Sequence, residues 1–352
     1  MATDDWAVVV GISTYPDLAP PALNGPENDA KSFAAWLRSP QGGAVPHRQM
    51  QLILSSDYRQ PFADVYSAKP TGQKVQEAIG RLHQIGRQNK DAGKPETVGR
   101  RLYLYLAGHG FAPADDQTAL LAANANRTDI GPGYHILGPY NADWFARAGY
   151  FSEIVLIMDC CRETYTAPSL NKPYGVALNR KKLNSVRRFY AFATQWSGLS
   201  RERPMEDGVV RGIFTTALLA GLKGAASVDG KVTTVTLRNY LYSDMDKFLS
   251  PDDLLNDDVP KEPDIPQYGT EWDMVVTPPL QTNVTIRVPA VDVGRLVQIR
   301  GGDYQIVASG PATADGFGAP LATGSYLAEI VGGSVGSQTF KVFSADAFSV
   351  QL

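Results

Sequence analysis

Apolar residues in the first 277 residues follow two alternating patterns. One is the short, uninterrupted apolar run, which is typical of a strand buried on both faces of a sheet. The other places apolar residues three or four positions apart, which is typical of a helix with one buried face. Because the two patterns alternate, the sequence predicts a mostly parallel α/β sheet flanked by helices.

The predicted strands are WAVVVGI (6–12), MQLIL (50–54), RLYLYLAGHG (101–110), EIVLIMD (153–159) and RFYAFAT (188–194). The predicted helices cover about residues 24–37, 73–88, 141–148, 212–222 and 236–249. Asn24 is expected to cap the first helix, because Glu27 follows it three residues later. The acidic, proline-containing segment 250–269 is expected to be a loop, and 272–276 an edge strand.

The pattern changes after TPPL (277–280). Short runs that alternate apolar and polar residues follow, separated by glycine-rich turns, and charged residues become few. This pattern predicts a small antiparallel β-sandwich. The chain is therefore expected to have two domains, an α/β domain over residues 1–277 and a sandwich over 278–352.

Composition and charge argue against several classes of protein. The net charge of −3 gives no reason to expect nucleic acid or an anionic membrane as a partner. No apolar stretch approaches about 18 residues, and the beginning MATDDWAVVVGI lacks the order of a secretion signal. The two cysteines are adjacent, so they cannot join distant parts of the chain. A cytoplasmic location is expected.

Two predicted strands end in residues that suit nucleophilic catalysis. One ends at His109 in Gly-His-Gly, and the other at Cys160 and Cys161. Active groups collect at the carboxyl ends of parallel strands, and imidazole can take the proton of a thiol near neutral pH. Adjacent strand residues face opposite ways, so only one cysteine can face His109. A buried cysteine is more often a small apolar residue, and Cys160 is expected to be one.

These segments resemble the caspase–metacaspase superfamily, and among its members the bacterial caspase-like proteins. The resemblance covers most of residues 6–276 and is carried by VVVGISTY, LNGPENDAKSFAAWL, YLYLAGHG, IVLIMDCCRE and GIFTTALLAGLKG. It implies a caspase-like fold and a cysteine endopeptidase with Cys161 as nucleophile and His109 as its base. The 52 residues between them (161 − 109) and the Arg that follows Cys161 agree with the caspase spacing. The backbone N–H groups of Gly110 and Cys161 would form the oxyanion hole.

The resemblance also implies a substrate preference. Metacaspases that cleave after Arg or Lys use two carboxylates, and Asp29 and Asp159 stand at the matching positions. Protein substrates with a basic residue before the cut are therefore expected. Two alternatives are open: Asp29 as an acid that stabilises the start of its helix, and Asp159 as a hydrogen-bond acceptor at a strand end.

The segment NRKKLNSVRR (179–188) lies where related proteases are cut during activation, so Lys182 and Arg188 are candidate self-processing positions. No cofactor is expected. Calcium dependence occurs among metacaspases, but Asp115, Asp116, Asp129 and the acids of 252–258 match no ligand pattern, and no metal ligand is assigned.

Other functions were weighed against proteolysis. An inactive binding scaffold is the main alternative, because Arg162 and Glu163 replace the residues that usually follow a metacaspase nucleophile. Arg162 and Glu163 are expected to pair with each other or with solvent. A nucleotide-binding enzyme is disfavoured, since the first strand is followed by neither a dinucleotide fingerprint nor a phosphate loop. A regulatory partner could bind the sandwich. His47, His83 and His135 are expected in surface or loop positions.

Overall fold

The predicted apolar runs form one parallel sheet. The computed structural model of the chain describes residues 4–20, 22–114, 117–126, 133–164, 170, 172, 180–195, 198–205, 207–256, 259–343 and 347–352. By their internal contacts these residues divide into two compact units, Met1–Leu219 with Leu241–Trp272, and Ala220–Tyr240 with Asp273–Leu352. The domain division at residue 277 stays a prediction.

The helices of the described chain are α1 Pro26–Arg38, α2 Gly72–Asp91, α3 Gly138–Ala148, α4 Arg180–Ser185, α5 Ile213–Ala220, α6 Thr234–Asp244 and α7 Pro251–Leu255. The strands of the first unit are β1 Trp6–Gly11, β2 Met50–Leu54, β3 Gly99–Gly108, β4 Gly110–Ala114, β5 Gln117–Leu121, β6 His135–Leu137, β7 Phe151–Cys160, β8 Glu163–Thr164, β9 Arg187–Phe192, β10 Glu202–Pro204 and β11 Val210–Gly212. Those of the second unit are β12 Lys231–Thr233, β13 Asp273–Val276, β14 Gln281–Arg287, β15 Leu296–Arg300, β16 Ile306–Pro311, β17 Phe317–Ala322, β18 Gly324–Ile330, β19 Gln338–Val342 and β20 Phe348–Gln351.

The central sheet has the strand order β2-β1-β3-β7-β9, and every neighbouring pair is parallel. Side chains alternate between its faces, so the leucines of β3 face one way and its tyrosines the other. Leu102, Leu104 and Leu106 belong to the same core as apolar residues of α2 and α3. On the opposite face, Phe33 of α1 stacks on Tyr105 with 4.7 Å between ring centroids. The predicted sheet with helices on both faces is confirmed.

Three local predictions need correction. The predicted strand 101–110 is two strands, because the chain leaves the central sheet at His109. Helix α1 begins at Pro26 with Gly25 as its N-cap, and no side chain caps it. Asn24 is therefore not the cap; the backbone N–H groups of Asn24 and Gly25 donate to Glu202 instead.

The third correction concerns the segment around residue 270. Strand β13 pairs antiparallel with β12 in a two-stranded sheet, and the described chain places neither of them in the central sheet. The expected loop over 250–269 contains the short helix α7, which Ser250 caps by accepting from the N–H of Asp253.

Strands β14 to β20 of the second unit form two small sheets in the orders β17-β14-β20 and β16-β15-β18-β19. Their pairs are antiparallel except for β14 and β20, which are parallel. Alternating residues such as Val284, Ile286, Val297 and Ile299 are buried in a separate core. The predicted β-rich region after the α/β part is confirmed. Within the described part of the chain, no helix is long and apolar enough to cross a membrane.

Candidate active site

His109 and Cys161 stand at equivalent positions, each directly after the last residue of one of two paired strands, β3 and β7. In the central sheet Gly108 of β3 is level with Cys160 of β7, and beyond it Phe111 of β4 is level with Glu163 of β8. Both pairs are offset by 52 residues, as are His109 and Cys161 (160 − 108, 163 − 111, 161 − 109). The two segments therefore leave the central sheet at the same level. This brings the imidazole and the thiol to the same corner of the sheet.

Two glycines allow the chain to turn this corner. Gly108 has φ +149°, and a Cβ there would lie 2.2 Å from Oη of Tyr15. A Cβ on Gly110 would lie 2.6 Å from Sγ of Cys160. Cys160 is 1% exposed and belongs to the main core, which confirms its predicted packing role. Glycine is thus required on both sides of His109.

The structure holds His109 by three contacts that the sequence did not reveal. Its Nε2 lies 2.9 Å from the carbonyl oxygen of Pro20. Its backbone N–H donates to Oη of Tyr15 at 2.9 Å, and Tyr15 donates in turn to the carbonyl of Leu121 at 3.3 Å. The edge of the Tyr15 ring also meets the imidazole, with centroids 4.7 Å apart. Because a carbonyl oxygen only accepts, Nε2 carries the hydrogen of the neutral ring and Nδ1 is its proton acceptor.

Cys161 lies on the wall of a cavity of about 440 Å³. The titratable side chains that share this wall are Asp29, His109, Asp159, Glu163, Arg201 and Glu202. The pKa of the Cys161 thiol is raised to about 11, and burial is the largest cause. The charges of Glu163 and Asp159 also contribute to this rise, whereas a backbone hydrogen bond from Ser200 and the charge of Arg201 oppose it. The thiol is therefore protonated at neutral pH.

Asp29 and Asp159 meet in the same cavity. Oδ2 of Asp29 accepts from the N–H of Gly212 at 2.9 Å. Asp159 accepts from the hydroxyls of Ser200 and Thr215, each at 2.6 Å. A Cβ on Gly212 would lie 2.4 Å from Oδ2 of Asp159 and 3.0 Å from Oδ2 of Asp29, so the two carboxylates converge on this glycine.

Both aspartates are buried, with exposed fractions of 2% for Asp29 and 6% for Asp159. Burial raises the pKa of each carboxyl, and the charge of Asp159 raises that of Asp29 further. Oδ1 of Asp29 is buried without a hydrogen-bond partner among the described residues. A buried carboxylate oxygen without a donor is costly, and a cation in the cavity would supply what it lacks.

Glu202 is a third carboxylate of this wall that the sequence did not indicate. Its Oε1 accepts from the N–H of Asn24 at 3.0 Å and its Oε2 from that of Gly25 at 2.8 Å. It thereby fixes the segment before α1, the helix that carries Asp29. The partners are about 180 residues apart, and no local pattern of the sequence joins them.

The two residues after Cys161 have different surroundings. Arg162 is 2% exposed and pairs with Asp264, and its guanidinium lies 4.7 Å from the ring centroid of Phe192. The expectation that Arg162 pairs with Glu163 or with solvent is therefore wrong. Glu163 is exposed on the cavity wall.

The candidate processing positions lie away from this cavity. Nζ of Lys182 in α4 donates to the carbonyl of Ala148 at 2.9 Å. Arg188 lies within β9, level with Ile154 of the central sheet, and its guanidinium pairs with Asp143. The bond after Arg188 is therefore part of a paired strand.

One of the unassigned histidines is neither at the surface nor in a loop. His135 is fully buried in β6 with its ring against Phe111, whereas His83 is half-buried on α2 with its ring against Trp144. His47 is exposed. Asp115, Asp116, Asp129, Asp257 and Asp258 lie outside the described residues. Within the described ranges, no group of three or more His, Cys, Asp or Glu side chains is arranged to hold a metal ion.

A model of a known protein family matches more than half of the chain. The Peptidase_C14 family model, a caspase domain, matches residues 4–246. A "probable protease" from a Desulfuromonadales bacterium is 27% identical over 238 residues, which cover 63% of this chain and 26% of that protein. The chain thus spans about a quarter of the length of this curated relative.

Two solved structures are also similar to this chain. Caspase-1 from Spodoptera frugiperda has a TM-score of 0.45 and 13% identity over 76% of this chain and 89% of the other. The structure of pro-sf-caspase-1 has a TM-score of 0.42 and 12% identity, covering 76% and 92%.

The contacts of Tyr15 predict that its hydroxyl group stabilises the position of His109. We expect Tyr15→Phe to lower the free energy of unfolding by about 1 kcal/mol, because the buried N–H of His109 loses its acceptor. We also expect a changed chemical shift for the His109 imidazole. Urea unfolding and NMR of the ring protons measure the two effects. Tyr66→Phe is the control, since Tyr66 is 78% exposed, and equal behaviour of both variants would contradict the role of Tyr15.

Proposed function

The chain belongs to the caspase-domain family, and on that premise we propose that it is a cysteine endopeptidase that cleaves protein substrates after Arg or Lys. One observation carries the proposal. The strand register brings His109 and Cys161 to one corner, and the same cavity contains the buried pair Asp29 and Asp159. The dyad supplies the chemistry and the acidic pair the substrate preference.

In the proposed reaction the thiol of Cys161 begins protonated, because its pKa is about 11. As Sγ attacks the carbonyl carbon of the scissile bond, Nδ1 of His109 takes the thiol proton. The carbonyl oxygen gains negative charge, and the backbone N–H groups of Gly110 and Cys161 are the proposed donors to it. His109 then gives its proton to the leaving nitrogen, and the C–N bond breaks to leave a thioester on Cys161. Water, deprotonated by His109, hydrolyses the thioester and releases the acid product.

The acidic pair accounts for the proposed preference. A carboxylate about 4 Å from a substrate cation contributes about 4 kcal/mol of attraction at an effective dielectric constant near 20. Asp29 also presents a buried oxygen for which the described residues supply no donor, and a guanidinium or ammonium group offers one. An acidic side chain would be repelled from the same place.

One observation favours the alternative, an inactive caspase-like binding scaffold. The raised pKa of Cys161 means that the resting thiol is not an activated nucleophile. We weight this less than the matched positions of the dyad, since a base that removes the proton during attack does not require a resting thiolate. We further propose that residues 1–277 form the peptidase domain and that residues 278–352 form an accessory domain able to bind a regulatory partner.

The nucleophile is tested with fluorogenic peptides that end in Arg, Lys or Asp, with and without calcium. We expect hydrolysis after Arg and Lys only. Cys161→Ala should lower kcat/KM by more than about a thousandfold, because it removes the attacking atom. Cys160→Ala is the matched control and should keep the activity of the folded fraction, since Cys160 packs in the core. Hydrolysis after Asp would contradict the roles of Asp29 and Asp159, and hydrolysis that survives in Cys161→Ala would remove the proposed nucleophile.

The acidic pair also predicts a pH dependence of cation binding. Burial raises the pKa of Asp29 and Asp159 above the usual value of 3.8, so both become protonated at a higher pH than an exposed aspartate. As the pH falls through these raised values the pair loses its charge, and binding of a cation such as agmatine should weaken by up to about a thousandfold for each charge lost, the equivalent of about 4 kcal/mol.

Calorimetry of agmatine binding to Cys161→Ala measures this effect without turnover. Binding at mildly acidic pH should release protons, and Asp29→Asn should weaken binding and reduce that release. Asp315→Asn, at an exposed position of the β-rich unit, is the matched control. Affinity that stays constant with pH and does not respond to Asp29→Asn would rule out the pair as the cation site.

Self-processing is proposed after Lys182 rather than after Arg188. The bond after Lys182 lies in the six-residue helix α4, whereas cleavage after Arg188 would interrupt a strand of the central sheet. Concentrated wild type should yield two fragments, and their intact masses should correspond to cleavage after Lys182. Cys161→Ala and Lys182→Gln should stay whole, and Arg188→Gln should be cut like wild type. Wild type that hydrolyses peptides but stays one chain would contradict self-processing.

A further inference from the structure

Glu163 gives the cavity a second acidic wall. It lies on β8, two residues after the nucleophile, whereas Asp159 lies two residues before it. Strand β8 is paired with β4, and Glu163 is level with Phe111, two residues beyond His109. Its side chain is exposed and borders the same cavity as Cys161 and His109. Asp159 and Glu163 therefore flank Cys161 in the sequence, one before it and one after it.

The role of His109 identifies which side Glu163 occupies relative to a substrate. His109 must give its proton to the leaving nitrogen, so the part of the substrate after the cut bond lies toward the imidazole. Strand β4 begins at Gly110, directly after His109, and strand β8 is paired with it. The pair Asp29 and Asp159 is instead held by Gly212, Ser200 and Thr215. A substrate residue that follows the cut and lies toward the imidazole would therefore also lie toward the strands that carry Glu163.

The arginine that precedes Glu163 in the sequence does not border this cavity. Arg162 turns into the protein interior and pairs with Asp264. Arg201 borders the cavity on the segment of Ser200 and Glu202, which holds Asp159 and the start of α1. The charge of Glu163 contributes to the raised pKa of Cys161, which is consistent with a short distance between the two groups.

We propose that Glu163 selects substrates with Lys or Arg immediately after the cut, so that the preferred substrates are cleaved between two basic residues. This inference rests on the proposed function and adds a second determinant to it. The recognition is electrostatic, between the Glu163 carboxylate and the ammonium or guanidinium group of the substrate. It should therefore weaken as salt is added.

The test uses three internally quenched peptides with Arg before the cut and either Lys, Ala or Glu after it. Wild type should cleave the Lys peptide with a kcat/KM about tenfold above that of the Glu peptide, since one pair attracts and the other repels. Glu163→Gln should bring this ratio close to one, and Glu163→Lys should invert it. The ratio does not depend on the folded fraction of a variant, so partial unfolding cannot imitate the result.

Glu77→Gln is the matched control, because it removes the same charge from an exposed position of α2. It should leave the ratio of wild type unchanged. A ratio near one in wild type, an unchanged ratio in Glu163→Gln, or an equal change in Glu77→Gln would each overturn the inference. Cleavage that depends on Cys161 but ignores the following residue would defeat this inference alone, whereas no cleavage of any peptide would defeat the proposed function and the inference with it.

Discussion

The parallel pairing of β3 with β7 is the constraint on which the site depends. Paired residues of β3 and β7 are 52 positions apart in the sequence. The same offset continues where β4 pairs with β8. A shift of this register by one residue would turn every side chain to the other face of the sheet. It would bury Cys161 in the place of Cys160 and separate it from His109. The buried leucine and isoleucine residues that fix the register are thus as necessary to the dyad as the dyad residues themselves.

The acidic side of the cavity depends on the same sheet but is costly to maintain. Burying two carboxylates close together raises the pKa of both, and the structure offsets the cost with hydroxyl and backbone donors from Gly212, Ser200 and Thr215. It leaves one oxygen of Asp29 without a donor among the described residues. Two hydrophobic residues of similar size would serve the core at lower cost, so stability alone does not explain the pair. The proposed cationic substrate would explain it.

Local patterns were sufficient to predict the central sheet and its helices, and they indicated the residues of the proposed dyad. Runs such as RLYLYLAGHG and EIVLIMDCC have one interpretation in an alternating α/β chain, and the resemblance to caspases rests on the same runs. What the sequence did not show are the residues that hold the dyad and the acidic pair. Tyr15 is 94 residues from His109, Glu202 is 178 from Asn24, and Arg162 is 102 from Asp264. Ser, Tyr and Glu are ordinary loop residues until the fold brings such partners together. The prediction that Asn24 caps α1 was wrong for the same reason. The distant Glu202 accepts hydrogen bonds from the backbone N–H groups of Asn24 and Gly25, and no local pattern indicates this contact.

The protonated thiol and the acidic cavity are two aspects of one electrostatic arrangement. Burial, Glu163 and Asp159 all stabilise the neutral form of Cys161, so the resting site holds an unreactive thiol. A substrate cation bound between Asp29 and Asp159 would offset the charge of Asp159, and a second cation beside Glu163 would offset the other. Each would lower the pKa of the thiol and reduce the work that His109 must do in removing its proton. A peptide with an acidic or neutral residue at these positions would give no such help. In the proposed mechanism, the charges that select the substrate would therefore also restrain the nucleophile until that substrate is bound.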